Sequence, residues 1–378
     1  MDKLKKFLTD NKDVFILFAL SRLLFAAVLL IAQRSYGDVL LLFDAEHYRN
    51  VAAIGYREEY MAACFPMAPL FIRFLGHVGA VIVNHIAFFF SLYFLKQIVL
   101  KMNVDAKAYY VLSLVAFSPL ALFISLEYTE ALFFFFTVAA FYLFVNKANP
   151  VLMGVVLGLS VATRNTGSLL FFAIFVGMVM QMVRSKEYKK GIRDIILAYV
   201  PATAISLIFP VFLQIRFGNW KMFMDCQYGY WLRVKSNMFK TVWVSLEVLF
   251  TDKYKYGGEI DAIVLYKINE AFSLLLMALL IFLIVREILI MRKAGKASIP
   301  SVVAVIYSVL FIIALCMTIR DPEYNAPTAC YYRYYASLFP LYLGLGRFKE
   351  KTVQICMFTT ALITLLTASV FCLGVFFF

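Results

Sequence analysis

Long uninterrupted runs of apolar residues, divided by short polar segments, organise this chain from end to end. About eleven are read, near residues 14–33, 78–98, 107–125, 129–146, 151–164, 168–183, 194–216, 264–285, 299–319, 334–347 and 353–376. Most approach or exceed about 18 residues, enough for a helix to cross a hydrocarbon layer of roughly 30 Å. They do not alternate with period two, so helices and not barrel strands are predicted. The runs 151–164 and 334–347 are short for a span, which predicts tilted, re-entrant or broken helices there. The first, "VFILFALSRLLFAAVLLIAQ", is longer than the apolar core of a signal peptide and no small-residue cleavage site follows it, so it is read as a retained span. No repeat or low-complexity linker divides the chain. The pattern predicts an all-α polytopic membrane protein, residues 1–378 forming one transmembrane domain.

Composition supports that solvent. With 63% hydrophobic and 16% charged residues, the chain lies far from the roughly half-apolar, quarter-charged makeup of a soluble domain. A net charge of +13 would suggest a nucleic-acid partner in a soluble protein. Here the basic residues gather in short connectors, "MDKLKK", "KQIVLKMNVDAK", "RSKEYKKGIR", "REILIMRKAGK" and "RFKEK", as the positive-inside rule expects, and no nucleic acid is expected as a partner. The opposite, external side then receives residues 34–77, "SLEYTE", "TRNTG", a segment of about 217–262, and "RDPEYNAPTACYYR". The six cysteines form no C-x-x-C pair and no metal-ligand spacing, and a disulfide among Cys64, Cys226 and Cys330 stays open.

The first external segment carries the sharpest chemistry. In "LFDAEHYRNVAAIGYREEY", helical spacing runs from Phe43 to Ile54 and Gly55 ends it, so Asp44 opens a short interfacial helix. Two compatible readings follow: Asp44 is an N-cap with Glu46 in the first turn, or its carboxylate is a general base at the membrane surface. After it, Pro66 and Pro69 interrupt an ordinary helix start, and "CFPMAPLFIR" is expected to lie along the interface before the chain re-enters the membrane.

The stretch "FDAEHYRNVAAIGY", followed by Glu59 and "CFPMAPLFIR", resembles the signature region of the PIG-V type GPI mannosyltransferase family. "SLEYTEALFFFFTVAAFYLF", "LGLSVATRNTG" and "YYRYYASLFPLYLGLG" resemble later family segments in the same order, so the resemblance reaches from residue 43 to about 346. Phe43 stands where Trp is more usual, Asn165 and Thr166 replace Ser-Asn, and the length fits a compact bacterial relative. The resemblance implies a GT-C type glycosyltransferase fold in the bacterial plasma membrane, active on the outer face. It also implies a polyprenyl-phosphate sugar, mannose or a related one, as donor, and a lipid-linked or cell-envelope glycan as acceptor.

Within that reading Asp44 is the catalytic base. Glu46 lies about 200° round the helix from Asp44, so Glu46, like Glu59, is assigned to orienting a sugar hydroxyl or His47. Arg164, beside Asn165, and Arg333 are candidates for the leaving phosphate, because a planar guanidinium suits phosphate oxygens; an interfacial anchor is the alternative for Arg164 and snorkelling for Arg333. Glu127 and Glu130 either bond Arg164 or acceptor hydroxyls, or stand solvated in their turn. The aromatic-basic segment after residue 217 is either a headgroup belt or a flap over the site. His77 and His85 are read as hydrogen-bonded structural groups. No cofactor and no divalent metal are expected, since the donor carries one phosphate. A transporter or lipid flippase, or a scaffold subunit, are the competing classes; polar residues collected at external helix ends favour surface chemistry over a midplane pathway.

Overall fold

A computed structural model describes residues 2–251, 260–295, 297–324 and 326–374. Residues 252–259 of the second external segment, and the last two residues of the run 353–376, lie outside the described residues. The protein is helical almost throughout, as the apolar runs require, since a helix satisfies every backbone group within itself where no water can. Seven helices among the described residues are long and apolar enough to cross a membrane: Lys12–Ala32, Met67–Lys101, Gly167–Ser185, Tyr188–Phe217, Val264–Lys293, Ile299–Cys316 and Glu350–Cys372.

The other four predicted runs are shorter or divided. Glu130–Val145 and Pro150–Thr163 are helices of 16 and 14 residues. The run 107–125 splits into Ala108–Ala116 and Leu120–Ile124 around Pro119, which has no N–H to continue a ladder. The run 334–347 becomes Tyr331–Ala336 and Phe339–Leu345, the second opened by Pro340. Burial accounts for the difference. Every residue of Leu120–Ile124 is buried, as is nearly all of Glu130–Val145, and irregular backbone at membrane depth is tolerated where protein surrounds it. Apolarity here marks the centre of the bundle and not a lipid-facing wall.

The helices run between two chemically distinct ends. At one, the basic connectors are tied together: Lys96 pairs with Asp13 at 2.7 Å and donates to the Asp10 carbonyl, Arg184 donates to the Ala297 carbonyl, and Arg347 donates to the Asn103 carbonyl. At the other end lie the helices Asp44–Ile54, Met222–Gly229 and Met238–Phe250, the 3-10 turn Glu59–Ala63, and a two-stranded antiparallel ribbon of β1 (Arg233–Lys235) and β2 (Thr318–Arg320). The register pairs Arg233 with Arg320, Val234 with Ile319 and Lys235 with Thr318.

Two sequence features set the layout of that second end. Gly76 adopts φ 69° within Met67–Lys101, a conformation costly for any residue with a Cβ, and it separates the segment 67–75 from the span that follows. Gly154 and Gly158 share one face of Pro150–Thr163 and let it close on Tyr188–Phe217: a Cβ at Gly154 would lie 1.9 Å from the Ala198 carbonyl oxygen, and one at Gly158 would lie 2.9 Å from that of Ala202. Small residues spaced by four permit such backbone contact in membranes. The packed pair aims the helix terminus, and with it Arg164, at the second end.

Gly154→Leu is therefore expected to force these helices apart and to cost at least about 1–3 kcal/mol, the usual overpacking penalty. A lowered unfolding midpoint in detergent micelles checks this. Gly229→Ala, where nothing lies within 4 Å of an added Cβ, is expected to leave the midpoint nearly unchanged.

Candidate functional site

Asp44 is the first residue of Asp44–Ile54, preceded by Phe43 at φ 53°, ψ −118°, a backbone state sparsely populated outside glycine. The Phe43 ring packs on Phe371 with centroids 5.1 Å apart. The carboxylate does not cap its helix, contrary to one of the two readings above. Its Oδ2 accepts instead from Arg333 Nη2 at 2.8 Å.

Arg333 is only 4% exposed, so snorkelling is excluded for it. Its Nε stands 3.1 Å from Glu130 Oε1, and its guanidinium lies 5.2–5.5 Å from the ring centres of Phe123, Tyr128 and Tyr334. Glu130 Oε1 also accepts from Arg164 Nη1 at 2.5 Å, and Arg164 sits 4.7 Å from the centre of the Tyr334 ring. The result is a row of alternating sign, Asp44, Arg333, Glu130, Arg164, drawn from four separate segments. Its formal charges cancel, which suits a poorly hydrated position where an unpaired charge costs several kcal/mol.

Glu127 and Glu130 are each 1% exposed, so neither stands solvated in its turn. Glu127 faces away from this row, accepting from Arg49 Nε at 2.5 Å and lying 2.9 Å from His77 Nδ1. It braces the Asp44–Ile54 helix from behind. His85 Nδ1 bonds the Val81 carbonyl oxygen, so both histidines hold structural contacts. Arg22, inside the first span, donates to Ser125 Oγ and the Ala121 carbonyl.

A cavity of about 690 Å³ opens above the row. Asp44, His47, Arg164, Asn165 and Arg333 line it, so five of the nine predicted site residues meet there. The other four do not. Glu130 lies beneath the lining, Glu127 turns away, Glu46 is exposed on the far face of its helix as the 200° separation requires, and Glu59 is exposed and accepts from the Tyr230 hydroxyl at 3.3 Å. The segment after residue 217 divides its roles. Trp220, Tyr230 and Trp243 are exposed in the manner of a belt, while Phe223, Tyr228 and Trp231 form a cavity wall. Among the described residues no disulfide joins the cysteines, and no group of three or more His, Cys, Asp or Glu side chains gathers as a metal cage.

The sequence reading missed the wall formed by the ribbon. Arg233, Lys235 and Arg320 line the cavity, making five cationic side chains there against the single carboxylate of Asp44. Their signal was present as the alternation Arg-Val-Lys and Thr-Ile-Arg, two period-two stretches too short to stand out beside long apolar helices. Five buried nitrogens of lining residues have no hydrogen-bond partner among the described residues: His47 Nδ1, Trp231 Nε1, Arg320 Nε, Arg333 Nη1 and Arg333 Nε, the last in ion-pair contact with Glu130. Buried polar atoms are almost always paired, so the walls of this cavity are under-satisfied in hydrogen bonding.

Asp44 is poised in its ionised form. Burial pushes its carboxyl up, but the Arg333 guanidinium, by charge and hydrogen bond, more than offsets this and holds it below the usual carboxylate range. No protein-family model matches this chain, and comparison with curated proteins and with solved structures also returns no match.

Removing Arg333 strands Asp44 and leaves Glu130 with Arg164 alone. Arg333→Met is expected to cost about 3–5 kcal/mol, as for a broken buried pair, and Arg333→Lys to recover only part, because an ammonium cannot fork between Asp44 and Glu130. Chemical unfolding in micelles measures both. Because the folded pKa of Asp44 is depressed, its ionised form stabilises the fold above the ordinary carboxylate pKa of about 3.9, and that contribution is lost as pH falls through the lower folded value. Asp44→Asn is expected to flatten this acid limb of the stability profile.

Proposed function

We propose that this protein is a membrane glycosyltransferase of the GT-C type, moving mannose or a related sugar from a polyprenyl-phosphate donor to a lipid-linked or cell-envelope glycan. The observation that carries this reading is the cavity: one ionised carboxylate and a surplus of cationic side chains line one space, and several lining residues keep buried nitrogens without a hydrogen-bond partner among the described residues. Such a lining suits a ligand that is anionic at one end and rich in hydroxyls at the other. The segments that resemble the PIG-V type family contain Asp44, Glu127, Glu130, Arg164 and Arg333, and all of these but Glu127 form the charged row, which supports the same class. Within a GT-C architecture of about eleven membrane-embedded segments, the divided and short buried helices count as segments that do not individually cross the bilayer.

The chemistry assigns a place to each electron pair. An acceptor hydroxyl oxygen attacks the anomeric carbon, the bond from that carbon to the phosphate oxygen breaks, and the phosphate leaves with the bonding pair. The hydroxyl proton passes to Asp44 Oδ1, the oxygen that Arg333 leaves unbonded. Arg333 holds the carboxylate in place, Glu130 holds Arg333, and Arg164 completes the row; positioning of this kind and base catalysis are the two contributions required. The cavity lies at the end away from the basic connectors, which by the positive-inside rule supports a site on the non-cytoplasmic face, and the likeness to a compact bacterial relative supports the plasma membrane. His47 and Asn165 reach the same space and suit sugar hydroxyls.

Radiolabelled transfer from polyprenyl-phosphate mannose, by purified protein in nanodiscs supplied with glycolipid acceptors, tests the reading. Wild type is expected to transfer sugar, and Asp44→Asn to lose about 10²–10⁴-fold in kcat, the usual range for a general base, while staying folded. Equal rates in both proteins would remove Asp44 from the chemistry, and donor movement across the bilayer without transfer would replace the transferase by a flippase.

A further inference from the structure

The two cationic groups of the cavity are not equivalent. Arg164 and Arg333 are already matched by Glu130 and Asp44. Arg233, Lys235 and Arg320 have no carboxylate in ion-pair contact among the described residues. The ribbon makes this unusual. Arg233 and Arg320 are direct cross-strand partners, and Lys235, two residues on, falls on the same face, while Ile319 on the opposite face is fully buried. Like charges directly opposite each other destabilise a strand pair. Here the pair faces the cavity, and Arg320 Nε is buried with no partner.

We infer that the β1–β2 ribbon is the phosphate seat of the cavity, with Arg233 and Arg320 as its principal ligands and Lys235 as an outer charge, and that it takes the phosphate of a prenyl-phosphate lipid. The inference deepens the transferase reading and rests on it for the lipid's identity. An anion between the two guanidiniums converts their repulsion into two charge-assisted contacts, and guanidinium forks match phosphate oxygens. Trp231 places this seat relative to the base. Its ring lies 5.9 Å from the Arg320 guanidinium and 5.0 Å from the His47 ring, and His47 follows Asp44 by one helical turn. An indole with an unpartnered N–H thus stands between the cationic ribbon and the helix that carries the carboxylate, where a sugar attached to the phosphate would lie. The phosphate assignment made from sequence to Arg164 and Arg333 moves accordingly to the ribbon, and those two arginines become positioning residues for Asp44 and Glu130.

The test uses full-length protein with Trp220→Phe and Trp243→Phe, leaving Trp231 as the sole indole, in phosphatidylcholine nanodiscs titrated with farnesyl phosphate. A saturable change in Trp231 emission is expected. Arg233→Gln and Arg320→Gln should each weaken binding about tenfold, and together about 100-fold, as for loss of a charge-assisted hydrogen bond. Lys221→Gln, exposed on the same segment and outside the cavity lining, should bind as the parent does. The unfolding midpoint of ligand-free Arg320→Gln should be no lower than the parent's, because a like-charge pair is removed. Binding by the double variant at the parent's affinity would overturn the inference. So would displacement of farnesyl phosphate by inorganic phosphate or by phosphatidylglycerol at comparable concentration, since either would make the ribbon a general anion or headgroup site. Sugar transfer measured in parallel separates the two ideas. Ribbon-dependent binding with no transfer leaves the seat standing and removes the transferase, whereas transfer with ribbon-independent binding does the reverse.

Discussion

A guanidinium buried among aromatic rings at the floor of the cavity, that of Arg333, is the constraint around which this protein is arranged. Placing such a charge out of water costs several kcal/mol unless counter-charges reach it in good geometry. Asp44 and Glu130 supply them, and Arg164 then balances the second carboxylate. Each partner arrives on a different segment: the first external helix, the start of Glu130–Val145, the end of Pro150–Thr163 and the short helix Tyr331–Ala336. One ionic requirement therefore fixes four pieces of chain against one another, and Asp44 is joined to a residue 289 positions away. The aromatic rings of Phe123, Tyr128 and Tyr334 around Arg333 exclude water and strengthen the same contacts.

The neutrality of that row gives the cavity its polarity. The floor carries balanced charge and holds a carboxylate rigidly in its ionised form, while the ribbon wall carries unbalanced positive charge. A ligand with one anionic end is thereby oriented before any specific contact is made, because the field runs in one direction across the space. The wall also contains Trp231, while Trp220 and Trp243 of the same segment are exposed, as aromatic side chains of a headgroup belt are.

Much of the fold was legible because hydrophobic runs are a local property. The all-helical, multi-pass character followed from run length alone, as did the break before the second long span, where Gly76 sits. The run count overstated the number of helices able to cross, because apolarity does not distinguish a helix facing lipid from one enclosed by other helices. Leu120–Ile124 and Glu130–Val145 are as oily as any span, yet they are enclosed. Neither their shortness nor their enclosure was visible in the sequence, where the runs 107–125 and 129–146 reach span length and only 151–164 and 334–347 read as short.

For the candidate site the division falls between residue identity and pairing. By itself the sequence determined that Asp44, His47, Arg164, Asn165 and Arg333 are polar groups at helix ends in a chain otherwise made for lipid, which marked them out. Only the tertiary structure decided that Arg333 is buried, that Glu130 and not Glu127 joins the row, that Glu46 and Glu59 stay outside, and that two three-residue strands bring Arg233 and Arg320 face to face. The physical reason is range. Helix formation in lipid depends on neighbours a few residues apart, whereas an ion pair depends on where distant segments come to rest, and a cation's partner can be named only once its surroundings have closed around it.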